Sequence, residues 1–211
     1  MPDPTTPTTY SLVPWVRRGL ASLATGTSAN NYLTLPVAVD VNGATVPTPQ
    51  IRLLGPGDVT SMDAAAVVRT DPRDGADAFE PNYLAMVELA LPDLPWLFTP
   101  ATPSGDRLRP WICLLVIADS DGVKIDTQPG GPAVLRLTDV DPRAELPDLT
   151  NIDAWAHAQA TGGATFDGDS AAHVGRLVSP RKLEANRKYI ACIVPTYRAG
   201  VNAGLGAPVD Q

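Results

Sequence analysis

At 211 residues, with 44% apolar and 18% charged positions, the chain is long enough to bury a substantial core in one domain or two and has the balance of a soluble folded protein. Its 22 prolines are about twice the usual ~5% share, which breaks long helices and central strands and predicts short elements joined by fixed turns. A net charge of −7 without a basic stripe argues against nucleic acid as a partner, because phosphate binding needs clustered Lys and Arg.

Residues 1–9, MPDPTTPTT, are a Pro/Thr tail that cannot build a core and is expected to be flexible or pinned by a partner. They contain neither a basic n-region nor an apolar h-region, and no later run approaches the ~20 apolar residues of a membrane span, so neither secretion nor membrane insertion is expected. A single β-rich domain is expected over residues 10–206. SLVPWVRRGLASLA suggests a short helix after Pro14, with Trp15 and Leu20 on a partly shared face, ending before TGTSANN. LTLPVAVDVNG reads as a strand closed by Asn42-Gly43, a dipeptide suited to a type I′ turn, with ATVPTPQIRLLG as its hairpin partner. After a turn at GPGD, DVTSMDAAAVVRTDPRDGADA holds one short apolar run before a turn-rich link.

From Tyr83 to Leu91 the pattern is that of a strand buried on both sides, with Glu88 as the exception, so an enclosed Glu88 requires a cationic partner. Pro92, Pro95, Pro100, Pro103 and Pro110 then forbid regular ladder pairing until WICLLVIA starts a second buried strand. Five of the twelve aromatics lie between Phe79 and Trp111, a density that marks a packing nucleus. Asp121-Gly122 between WICLLVIA and GVKID predicts a hairpin, AVLRLTD a further strand, and ELPDLTNIDAWAHAQATGG a helix from Asn151 or Asp153 to the Gly162-Gly163 stop. KYIACIVPTY is a last strong strand, and YRAGVNAGLG one or two helical turns. The fold class expected is α+β and β-rich, a mixed or antiparallel sheet with two or three short helices and long Pro-rich loops. The end, GLGAPVDQ, leaves residues 207–211 as a tail that is expected to lead to further domains in a longer chain.

Cys113 and Cys192 each sit in an apolar strand-like run and read as buried free thiols of a reducing cytoplasm, although adjacent strands would make a disulfide geometrically feasible. Two histidines, His157 and His173, exclude a multi-histidine metal site, and no CxxC or HExxH spacing occurs. FDGDSAAH brings Ser170 and His173 together in sequence, but without a GxSxG elbow, so a turn of Asp and Gly is the plainer reading than a hydrolase or a calcium loop. SDGVKID has the same reading. GVNAGLG lacks the spacing of a dinucleotide loop, and no phosphate loop occurs. Glu80, Glu88 and Asp93 resemble paired catalytic carboxylates, but nothing else completes a sugar site. The Arg176 to Arg187 cluster with Arg181 and Lys182, interrupted by Glu184, reads as a solvated surface. No catalytic residue, cofactor ligand or metal ligand is assigned.

Six segments in order, VPWVRRGLA, LLGPGDVTSMD, RTDPRDGADAFEPNYLAMVELALPDLPWLFTPA, RLRPWICLLVIA, ELPDLTNIDAWAHAQ and RKYIACIVPTYRAGVNAGLG, resemble the N-terminal region of a family of large bacterial proteins. That family is encoded in loci of phage-tail-like extracellular contractile injection systems, and the likeness spans most of residues 13–206. The resemblance implies a structural or assembly component of the particle, in or near the baseplate, built in the cytoplasm and incorporated into a released or cell-associated particle. It brings no catalytic residues with it. Its partners would be other particle proteins, met through exposed strands, the Pro/Thr tail and the Pro-rich loop 92–110, with Glu88, Trp96, Phe98 and Trp111 as interaction candidates. The alternatives from the residues alone are a Ser/His hydrolase using Ser170 and His173 and a carbohydrate- or surface-binding module using Trp96 and Trp111.

Overall fold

A computed structural model of the protein describes residues 26–27, 33–36, 39–46, 50–80, 82–102, 104–105, 107–127, 129, 131–160 and 173–209. The tail 1–9, the helix expected after Pro14 and Ser170 lie outside them. Strands β1 (Gly26–Thr27), β2 (Leu33–Pro36) and β5 (Gln50–Arg52) form one small sheet in the order β1-β2-β5, while β3 (Val39–Val41) and β4 (Ala44–Val46) form a hairpin. That hairpin closes on Asn42 and Gly43 with φ of 54° and 81°, the left-handed pair that a type I′ turn demands and that Asn and Gly enter at little cost.

The main sheet contains β6 (Val67–Asp71), β7 (Leu84–Leu89), β11 (Ala156–Ala160) and β12 (His173–Lys182) in the order β11-β12-β7-β6. The remaining strands are β8 (Ile112–Ala118) with β13 (Tyr189–Pro195), and β9 (Val123–Asp126) with β10 (Val134–Leu137). Every pairing among the described residues is antiparallel, and two α-helices, α1 (Pro142–Glu145) and α2 (Arg198–Gly204), are each four to seven residues long. With several short 3-10 helices this is the α+β, β-rich class that the sequence leads one to expect.

Strand β8 separates two cores. Ile112, Leu114 and Val116 pack with Val87, Leu89 and Leu177 of the main sheet, whereas Cys113, Leu115 and Ile117 pack with Val123, Leu135, Leu137 and Ile152 on the other side. All seven of its residues are therefore buried. Two-sided burial was the expectation for the Tyr83–Leu91 strand as well, and there the structure differs. Ala85, Val87 and Leu89 are buried, but Leu84, Met86 and Glu88 on the opposite face are only half-buried, because that face carries an ionic row instead of a second core.

Three further expectations are corrected. The Asp121-Gly122 turn is present, with the Val123 amide donating to the Ser120 carbonyl, but β8 and β9 do not pair. β8 finds in β13 a partner of equal length and equal apolarity, with Ile112 opposite Pro195 and Ala118 opposite Tyr189. The mostly exposed β9 pairs with β10. The helix expected from Asn151 or Asp153 stops early: a 3-10 helix spans Leu149–Trp155, and the alanine-rich stretch after it is strand β11, with Ala156 buried and His157 and Gln159 exposed. Pairing with β12 overrides the helix propensity of alanine there. The Arg176–Arg187 cluster is not simply a solvated surface, because Arg176 and Arg181 are retained in part-buried ion pairs.

Strand β12 is central to the sheet and is the element that the sequence hides. It alternates buried and half-buried along HVGRLVSP, but its inward residues are His173, Gly175, Leu177 and Ser179, which do not read as an apolar stripe. Gly175 is required by close approach: a Cβ there would stand 2.8 Å from the Leu91 carbonyl oxygen and 3.0 Å from Pro92 Cα. Pro180, which cannot donate to a ladder, lies in the register irregularity between Val178 and Lys182.

Candidate interaction site

Glu88 is the centre of a charged row that the pairing register dictates. It stands directly opposite Arg176 on β12 and Arg69 on β6, so two guanidinium groups approach one carboxylate from both sides. Arg176 donates from Nε at 3.0 Å and from Nη2 at 2.8 Å, both to Oε1 of Glu88, and also donates from Nη1 to Oε1 of Gln159 on β11. Arg69 Nη1 is 3.9 Å from the same Glu88 oxygen, and its Nη2 donates to Asp71 at 3.2 Å. The Glu88 side chain is 13% exposed and that of Arg176 27%, so this pair is largely removed from water, whereas Arg69 at 58% stays in it. The cationic partner that an enclosed Glu88 requires is thus Arg176, reached across 88 residues of chain.

The aromatic candidates separate by burial. Trp111 is 3% exposed, donates from Nε1 to the Leu94 carbonyl at 2.6 Å, and meets Phe98 edge-on with ring centroids 5.0 Å apart at 86°. Its ring therefore belongs to the core and offers no surface to a partner. Trp96, half-buried, donates from Nε1 to the Leu108 carbonyl at 2.9 Å. Phe98 is likewise half-buried against the core. The Trp96 indole thus joins the two limbs of the Pro-rich loop and the Trp111 indole holds Leu94 to the start of β8, with Pro95 and Pro110 fully buried at the loop's roots. Among the described residues of the loop, Pro100 and the tip residues Thr102, Ser104, Gly105 and Arg107 stand exposed.

A second ion pair, which sequence reading missed, clips α1 to the sheet. Glu145 accepts from Arg181 Nη1 through Oε2, and the same oxygen accepts from the Ala118 amide at 3.3 Å, at the end of β8. The hydrogen bond from Arg181 holds this carboxyl below the usual carboxylate range, assisted by the Ala118 amide and against the opposing effect of burial. No alternation signal finds this pair, because Arg181 lies in the register irregularity of β12 between Val178 and Lys182.

Of the catalytic-looking residues, Ser170 lies outside the described residues. His173 is 7% exposed at the start of β12, and His157 is exposed on β11. Glu80 is exposed, while Glu88 is paired with arginines. Among the described residues no group of three or more His, Cys, Asp or Glu side chains could hold a metal ion, and no helix is long and apolar enough to cross a membrane. Cys113 and Cys192 lie on adjacent strands, but Cys113 faces Val194 and Cys192 faces Leu115, and both are free thiols. Burial pushes the Cys113 thiol up to about 12 and that of Cys192 upward as well.

No known relative decides the matter. Compared with protein-family models, curated proteins and solved structures, the chain matches none of them.

Proposed function

We propose that the protein is a non-enzymatic structural or assembly component of a phage-tail-like contractile injection particle. It acts through contacts with other particle proteins at or beside the baseplate, after assembly in the cytoplasm. The observation that carries this reading is the ordered likeness of six segments across residues 13–206 to a family encoded in such loci. The physical features are compatible with it: a fold of antiparallel strands with two cores, and its most prominent carboxylate engaged in ion pairing across a sheet. The charged row Arg69–Glu88–Arg176, with Val68 at 62% exposure on the neighbouring edge strand β6, is the surface offered to a neighbour.

The test is affinity purification of the tagged chain from its native cell, with mass spectrometry of what accompanies it. Enrichment of sheath, tube or baseplate proteins is expected. Recovery of the chain without any such protein, from cells that are producing particles, would contradict the proposal.

A further inference from the structure

A shallow cleft of about 230 Å³ opens between the tip of the Pro-rich loop and the 3-10 helix Leu149–Trp155, walled by Thr102, Ser104, Arg107, Arg109, Thr150 and Asp153. Ser104 and Arg107 exchange backbone hydrogen bonds of 2.9 and 3.1 Å around Gly105 at φ 63°. Arg107 is accounted for, being 70% exposed and 3.4 Å from the Asp153 carboxylate.

Arg109 is not. Its guanidinium is stacked over the Tyr197 ring at 5.4 Å, and Tyr197 is in turn fixed by a 3.2 Å contact between its hydroxyl and that of Thr99. Thr99 donates back to the Arg109 carbonyl at 2.6 Å, so the arginine is held at its root as well. Yet among the described residues the fork reaches one acceptor, the Thr196 carbonyl at 3.5 Å from Nη2, and the buried Nε has none. No carboxylate among the described residues pairs with it. A positioned, part-buried guanidinium with unused donors is the arrangement that recognises an oxyanion.

We propose that this cleft binds a single carboxylate group, with Arg109 as its charged anchor and the Thr102 and Ser104 hydroxyls as further donors. Among the described residues that wall the cleft, two arginines stand against one aspartate, a balance that matches a carboxylate better than a phosphate dianion. The Thr150 hydroxyl already donates to Asp148 at 2.6 Å, which adds a nearby negative charge and further disfavours a dianion. A small free carboxylate and an Asp or Glu side chain of a protein segment share this chemistry. The inference stands on the cleft alone and does not depend on the particle role.

The experiment is NMR titration of the full chain at constant ionic strength, reading the Arg109 Nε–H and the amides of Ser104 and Arg107. The probes are sodium acetate, a capped Gly-Glu-Gly peptide, its Gly-Gln-Gly counterpart and inorganic phosphate. Saturable shifts with acetate are expected. If the glutamate peptide also saturates, protein carboxylates reach the cleft; if acetate alone does, the ligand is a small free carboxylate. Arg109→Gln should weaken acetate binding about tenfold or more, and Arg107→Gln about threefold. Where Arg109→Gln fails to fold, the pair Thr102→Val with Ser104→Ala should weaken binding severalfold, and unchanged affinity in that pair overturns the proposal. So does an absence of saturable shifts with acetate and the glutamate peptide, an equal response to the glutamine peptide, or tighter binding of phosphate than of acetate.

Discussion

Replacing Glu88 by Gln keeps the shape of the side chain and removes the charge that two arginines share. Exposed ion pairs contribute about 0.2–1 kcal/mol and breaking a fully buried one costs about 3–5 kcal/mol. With Glu88 13% and Arg176 27% exposed, and two Arg176 donors on one oxygen, the pair lies between these limits. A loss of about 2 kcal/mol is expected, measured as a lower urea midpoint by tryptophan fluorescence with unchanged slope. In an Arg176→Met background, where no buried charge is left behind, the same substitution should cost about 1 kcal/mol less. The exposed pair Arg187–Glu184, at 43% and 64%, is the control and should lose less than about 0.5 kcal/mol in Glu184→Gln. A Glu88→Gln loss no larger than this control, or one that is the same with and without Arg176, would refute the reasoning that the row is a desolvated ionic ladder.

Gly175→Ala should destabilise by about 1–3 kcal/mol in the same assay, since the new methyl meets the Leu91 and Pro92 backbone, and a neutral outcome would mean that the turn can move away. Glu145 has a folded pKa below its unfolded value, so its contribution is complete above the unfolded pKa of about 4.3 and is lost as pH falls through the folded one. The stability gap between wild type and Glu145→Gln should therefore be widest near neutrality and close on acidification below about pH 4.3; a pH-independent gap would reject the ion pair. Cys113 should resist iodoacetamide at pH 8 in the native protein and react in urea, because burial in the second core keeps the thiol protonated; rapid native labelling would contradict two-sided burial of β8.

What was legible in the sequence was local and apolar. WICLLVIA announces itself as a buried strand and YIACIVP as a strand, Asn42-Gly43 specifies its turn, and the aromatic density around Trp111 marks the core that the structure shows. The partners of those strands were not legible. That β8 pairs with β13 and not with β9 depends on matching two apolar edges about seventy residues apart in the chain, which no local signal encodes. β12 escaped notice because close packing against the Leu91-Pro92 turn selects glycine, and its inward row also includes histidine and serine, which erases the apolar stripe. The need of Glu88 for a cation could be stated from chemistry alone, but naming Arg176 required the register of that hidden strand. Arg109 was invisible for a related reason, since what distinguishes it is the acceptor it lacks.

The particle role is tested most directly by deleting the coding sequence in the native cell, then imaging the particles by electron microscopy and assaying their activity. Particles that are absent, incomplete or inactive, and restored by the wild-type chain, are the result expected. Intact and fully active particles in the deletion strain would contradict it.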